Sequence, residues 1–185
     1  TIGNIELDQV TIMKNLKKLH KSSPVADKFD GAIGYDNLSN FIVKINYDSK
    51  ELELYNFGGL PIPDAFEAFA INLSYNIPML SASLTLNEKQ FEGIFLLDTG
   101  SQMPAIFNSP MARKNKIASQ MEKSIVIERK AGVSEVSSKF VLFRGQQLAI
   151  FGKSFDKIPS AYSTANSGAL ASTGFQGIIG NPVLK

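Results

Sequence analysis

Apolar residues recur at every second position through much of this chain, the spacing of strands with one buried face. Ile5-x-Leu7 and Val10-x-Ile12 fit that pattern, as do Phe41-x-Val43-x-Ile45-x-Tyr47, Leu52-x-Leu54 and Phe69-x-Ile71-x-Leu73. Met79 to Leu97 predicts a hairpin: alternation through Leu84-x-Leu86, a polar turn at Asn87-Glu88-Lys89-Gln90, then a strand entering Ile94-Phe95-Leu96-Leu97. That last run is continuously apolar, as in a strand buried on both faces. Ser124 to Phe143 predicts a second hairpin, turning near Lys130-Ala131-Gly132.

Helical signals are short. Ser109 followed by Pro110 supplies an N-cap and an early proline, predicting a helix over Met111 to Lys116, and Asn181-Pro182 repeats the signal. The lysines between Thr11 and Lys21 read as a solvated strand and loop rather than a basic amphipathic helix. Phe57-Gly58-Gly59-Leu60-Pro61-Ile62-Pro63 concentrates glycine and proline and predicts a linker. The fold class expected is therefore all-β with short helices.

Composition removes several chemistries. Of 185 residues, 44% are hydrophobic, enough for a sizeable core. Nineteen Lys and Arg against 17 Asp and Glu leave a net charge of +2, which gives no reason to expect a nucleic-acid partner. With no Cys, disulfides, thiolate metal sites and Cys nucleophiles are excluded. One histidine, His20, excludes multi-histidine metal sites, and no metal or cofactor is expected. No apolar run is long enough to predict a membrane span. Thr1-Ile2-Gly3, with no Met and no signal-like stretch, reads as the start of a piece of something longer.

The chain also repeats itself. Phe29-Asp30-Gly31-Ala32-Ile33-Gly34-Tyr35-Asp36 is answered by Phe175-Gln176-Gly177-Ile178-Ile179-Gly180-Asn181-Pro182, and a similar apolar rhythm precedes each. The first copy continues into further strands, whereas the second ends at Lys185; the second has a long upstream portion that the first lacks. That portion contains Phe95-Leu96-Leu97-Asp98-Thr99-Gly100-Ser101, and Ile178 follows Asp98 by eighty positions. Asp-Thr-Gly alone also suits an Asp that caps turn amides. Other uses of the motif are poorly supported. Ser101 as nucleophile needs a base, His20 lies in a Lys-rich stretch, and an aspartyl-phosphate site wants a further acid where Gly100 stands.

With Asp98-Thr99-Gly100-Ser101 and the triplets Ala32-Ile33-Gly34 and Ile178-Ile179-Gly180, the sequence resembles the retropepsin-like and pepsin-like aspartic proteases. The resemblance is strongest to bacterial two-lobe aspartyl proteases, often followed by a PDZ domain. It implies a bilobal pepsin-like β-barrel with an incomplete first lobe. Residues 1–56 would be the C-terminal part of the first lobe, 57–78 the inter-lobe linker and strand, and 79–185 the second lobe without its last strand.

The resemblance further implies a protease acting on polypeptides, with Asp98 as one member of an aspartate dyad. Thr99 would bond across to the other lobe, Gly100 would let amides approach the carboxylate, and Ser101 would orient its outer oxygen. Lys130, Ala131, Gly132 and Val133 occupy the position of the family's flap, although they also suit an ordinary surface hairpin. The partner aspartate is expected upstream of residue 1, because Asp30, Asp36 and Asp48 suit structural positions. Two alternatives stay open: a homodimer pairing Asp98 from each chain, and a silent peptide-binding module. The resemblance also favours export to a periplasm or cell envelope, while the absence of Cys suits a cytosol equally well.

Overall fold

The computed structural model describes residues 33–130 and 137–184. The chain forms two compact units, one ending at Ala68 and the other beginning at Phe69. Among the described residues no helix is long and apolar enough to cross a membrane.

In the first unit, helix α1 (Tyr35–Leu38) follows Gly34 and leads to an antiparallel hairpin of β1 (Ile42–Asn46) and β2 (Glu51–Tyr55). The alternating pattern predicted both strands. Asp48 lies in their turn, where the Asn46 Oδ1 accepts the backbone N–H groups of Asp48 and Ser49. Lys44 stands directly opposite Glu53 and pairs with it at 2.6 Å, while the Tyr55 hydroxyl donates to the same carboxylate. The copies of the internal repeat that fall before Ile33, His20 and the Lys-rich stretch lie outside the described residues.

The second unit is one ten-stranded sheet with a short helix. Its strands are β3 (Asn72–Ser74), β4 (Ile77–Leu86), β5 (Lys89–Asp98), β6 (Ala105–Phe107), β7 (Ile125–Lys130), β8 (Ser137–Arg144), β9 (Gln147–Ile150), β10 (Lys153–Asp156), β11 (Pro159–Ser163) and β12 (Gly177–Gly180). Their order is β10-β9-β4-β5-β12-β6-β11-β8-β7, with β3 also on β4. Most neighbours run antiparallel; β12 on β5 and β11 on β6 run parallel. Chain connectivity reaches those two pairings only through long excursions, as parallel strands require.

Both predicted hairpins form. The β4–β5 pair closes at Leu86↔Lys89, so the turn is Asn87-Glu88 alone and Lys89 and Gln90 already belong to the strand. Tyr75-Asn76 and Phe151-Gly152 make two further hairpin turns of this length, and all six turn residues have positive φ. That conformation gives a two-residue turn the twist of the strands it joins. The second predicted hairpin is β7–β8, closing at Lys130↔Ser137. Ala131, Gly132 and Val133 lie outside the described residues.

Three expectations need correction. Ile94 to Leu97 is not buried on both faces: Phe95 is fully buried, but Ile94 is 37% exposed because β5 keeps one face toward solvent there. The cap of helix α2 (Ser109–Lys114) is Asn108, whose Oδ1 accepts the Met111 N–H at 2.9 Å, and Ser109 is already helical. The alternation from Phe69 to Leu73 produces a strand only over Asn72–Ser74; Phe69 instead stacks on Phe151 with ring centroids 4.9 Å apart.

The core sits between the sheet and α2. Leu84, Phe95, Phe107, Ile117, Leu148 and Ile179 are its most buried members, and Phe95 meets Phe107 edge-to-face at 5.5 Å. Such a pair adds about 1 kcal/mol beyond the burial of the rings. Phe95 lies on β5 and Phe107 on β6, so this contact binds together the strands on either side of the Asp98 turn.

Candidate active site

Asp98 is the last residue of β5. The chain then turns through Thr99 and Gly100, with the Ser101 N–H on the Asp98 carbonyl at 3.2 Å, and returns as β6. Strand β12 lies between these two arms. Ile179 pairs with Leu97 and Gly180 with Asp98 in parallel register, while Ile178 and Ile179 face Ile106 and Ala105 in antiparallel register. The Ile-Ile-Gly triplet is thus threaded through the mouth of the Asp-Thr-Gly loop.

Two glycines permit that threading. A Cβ on Gly177 would lie 2.1 Å from the Ile106 carbonyl oxygen, and one on Gly180 would lie 2.2 Å from that of Met103. Both are contacts with backbone, which cannot rotate away. With no side chain in the way, the Gly180 N–H donates to Pro104 O at 2.9 Å and the Asn181 N–H to Ser101 O at 3.0 Å. The loop carrying Asp98 is therefore fixed from behind by main-chain bonds.

The Asp98 carboxylate is half-buried, and its Oδ1 accepts the Gly100 N–H at 2.8 Å. An Asx-type bond of this kind holds the carboxylate against the turn and leaves its outer side accessible. Thr99 and Gly100 are exposed at the tip, and Ser101 is half-buried. The Ser101 hydroxyl donates to Met103 O at 3.2 Å, within its own loop, rather than to Asp98. Of the residues singled out from sequence, Asp98, Thr99, Gly100, Ser101 and the second triplet come together; Lys130 ends β7.

Residues that the sequence did not single out support this loop. The Gln176 N–H donates to Ile94 O at 2.7 Å, and its Oε1 accepts the Ile94 N–H at 2.7 Å, so one residue aligns β12 on β5. Asn108, 1% exposed, caps α2 and donates through Nδ2 to Ser172 O at 2.8 Å and to Phe175 O. It ties the helix to the segment entering β12. Strand β6 was also missed: Ala105-Ile106-Phe107 is too short for periodicity to register. Among the described residues no three His, Asp or Glu side chains group as metal ligands.

No protein-family model matches the chain, and no curated protein matches it.

Proposed function

We propose that this chain carries the second lobe of a pepsin-like aspartic endopeptidase, with residues 1–56 contributing part of the first. The observation that carries the reading is β12 lying between β5 and β6 with Gly180 opposite Asp98. A turn that serves only to reverse the chain has no need of a third strand packed into its mouth. A carboxylate that must meet a second one at fixed distance does.

In the proposed chemistry, two carboxylates about 3 Å apart share one proton. The ionised member takes a proton from a water, which attacks the peptide carbonyl, and the protonated member stabilises the developing oxyanion. Asp98 is one member. Thr99, exposed beside it, is available to bond across to the opposing loop. The β7–β8 hairpin is the proposed flap, closing over substrate to exclude water.

A second carboxylate from a first lobe of the same chain is favoured over one from a second copy by a local likeness. Gly34 (φ −103°, ψ −175°) precedes the helical turn Tyr35–Leu38, and Gly180 (φ −105°, ψ 175°) precedes the helical turn Asn181–Val183. The two triplet glycines thus share one backbone conformation and one local outcome.

The pH profile and inhibitor sensitivity of peptide cleavage test the reading. We expect cleavage with an acid optimum, inhibition by a pepstatin-like compound, and no covalent acyl-enzyme that an added nucleophile can intercept. Cleavage blocked instead by a serine-directed reagent would assign the chemistry to Ser101 and refute the reading.

A further inference from the structure

A groove of about 940 Å³ opens in the second unit at a distance from Asp98, and none of the residues Asp98 to Ser101 lines it. One wall is α2, with Met111 and Lys114; the other is the sheet, with Glu92, Gly93 and Ile94; Gln176 stands at one end. Its volume is within the range of ordinary ligand sites.

The groove contains an unfinished strand ladder. On one side β5 pairs with β4 over its length, Glu92 opposite Ser83 and Ile94 opposite Ser81. On the other it pairs with β12 only from Phe95 onward, and the ladder stops where Gln176 satisfies both backbone groups of Ile94. Main-chain groups alternate in direction along a strand of this kind. If Ile94 faces β12, then Glu92 faces the same way, and among the described residues its N–H and C=O meet no partner there. The missing side chain at Gly93 matters too: a Cβ would stand 2.6 Å from the Gln176 Cγ and force that terminating residue aside.

We infer that this groove binds an extended polypeptide segment, added to β5 as a strand that continues the line of β12. Backbone groups in β register select an extended main chain rather than a compact ligand. The two charged side chains lining the groove, Glu92 and Lys114, are of opposite sign, so the fitting segment carries one basic and one acidic residue between small β-formers. Asp98 stands six positions beyond Glu92 along β5, about 20 Å at strand spacing, so a segment held here lies outside the reach of the Asp98 carboxylate. The inference does not depend on the proposed protease chemistry.

The probe is a fluorescein-labelled hexapeptide of alternating Val and Thr with one Lys and one Asp, titrated into the full chain carrying Asp98→Asn. Amide hydrogen exchange is recorded at Glu92. Saturable binding that protects the Glu92 N–H is expected. Glu92→Pro, which removes that N–H without touching the β4 ladder, should weaken binding of the peptide and of its analogue with Gln in place of Lys about tenfold, the value of one or two main-chain hydrogen bonds, whereas Glu92→Ala, which removes only the carboxylate that meets the Lys, should spare the Gln analogue. Lys114→Glu should weaken binding of the Asp-bearing peptide several-fold and spare its Asn analogue. If Glu92→Pro fails to fold, the exchange measurement and Lys114→Glu decide. Absence of saturable binding, or binding that protects Gly100 and Ser101 but not Glu92, overturns the inference.

Discussion

Gly180 is one of two glycines that tightly constrain this molecule, since its missing side chain lets β12 pass within bonding distance of Ser101 and Pro104. Gly180→Ala should therefore cost about 3 kcal/mol or more, as overpacking against backbone does, and shift the urea midpoint sharply. Gly100 provides the contrast. Its nearest neighbour to an added Cβ is the Asp98 Oδ1 at 3.1 Å, an atom able to give slightly, so Gly100→Ala should cost far less stability than Gly180→Ala. Comparable losses at the two sites would contradict the packing described. At this scale the sequence was informative where chemistry and backbone coincide: Asp98, Thr99 and the triplet glycine were legible because the motif names them. Gln176 and Asn108 were not, since an amide reveals its partners only when strands distant in sequence are brought together.

Strands were legible where apolar residues mark them densely. The alternations of β1 and β4 and the apolar run ending β5 announced themselves, whereas Ala105–Phe107 is a three-residue strand and Pro159–Ser163 reads as small and polar. Ser160 and Ser163 are nonetheless 1% exposed, because β11 lies between β6 and β8 with neighbours on both sides. Burial imposed by neighbours on both sides overrides composition. Two element-level predictions follow from the bonds. Asn108→Ala removes the α2 cap and leaves the Ser172 and Phe175 carbonyls unsatisfied, which should cost ~3 kcal/mol, read as a fall in unfolding midpoint. Glu88→Gly, at φ 63°, relieves a left-handed side chain in the β4–β5 turn while keeping the Glu88 N–H bond to Gln146. It should stabilise the protein by about 1 kcal/mol, seen as a rise in Tm.

The β1–β2 hairpin supplies an element-level prediction of pH dependence. The hydrogen bond from Lys44, then that from Tyr55, holds the Glu53 carboxyl below its ordinary 4.5, while Lys44, bonded to Glu53, is raised above 10.5. A lowered acid stabilises the fold above its unfolded value and loses that contribution as pH falls through the folded one. A raised base does the reverse at the alkaline end. The pair's contribution should therefore be flat from about pH 5 to 10 and fade outside that window. Glu53→Gln should abolish the fading, with small amplitude because both groups are exposed. Chemical-shift titration of the β1 and β2 amides measures it.

At the scale of the whole molecule, a ten-stranded sheet brings a turn near residue 98 and a triplet near residue 180 into one structure, joined by main-chain bonds. The sequence disclosed the two pieces and their spacing. It did not disclose the strand order, because parallel pairing of β5 with β12 is fixed by a core shared among Phe95, Phe107 and Ile179 that no local pattern encodes. The proposed protease reading gives this arrangement a purpose: a carboxylate held firmly from behind and open in front. Its most direct test is the rate of peptide cleavage by the protein with both lobes present, compared with its Asp98→Asn variant at acid pH. The account predicts a fall in kcat of about a thousandfold or more, with substrate binding retained. Undiminished cleavage by Asp98→Asn would contradict it.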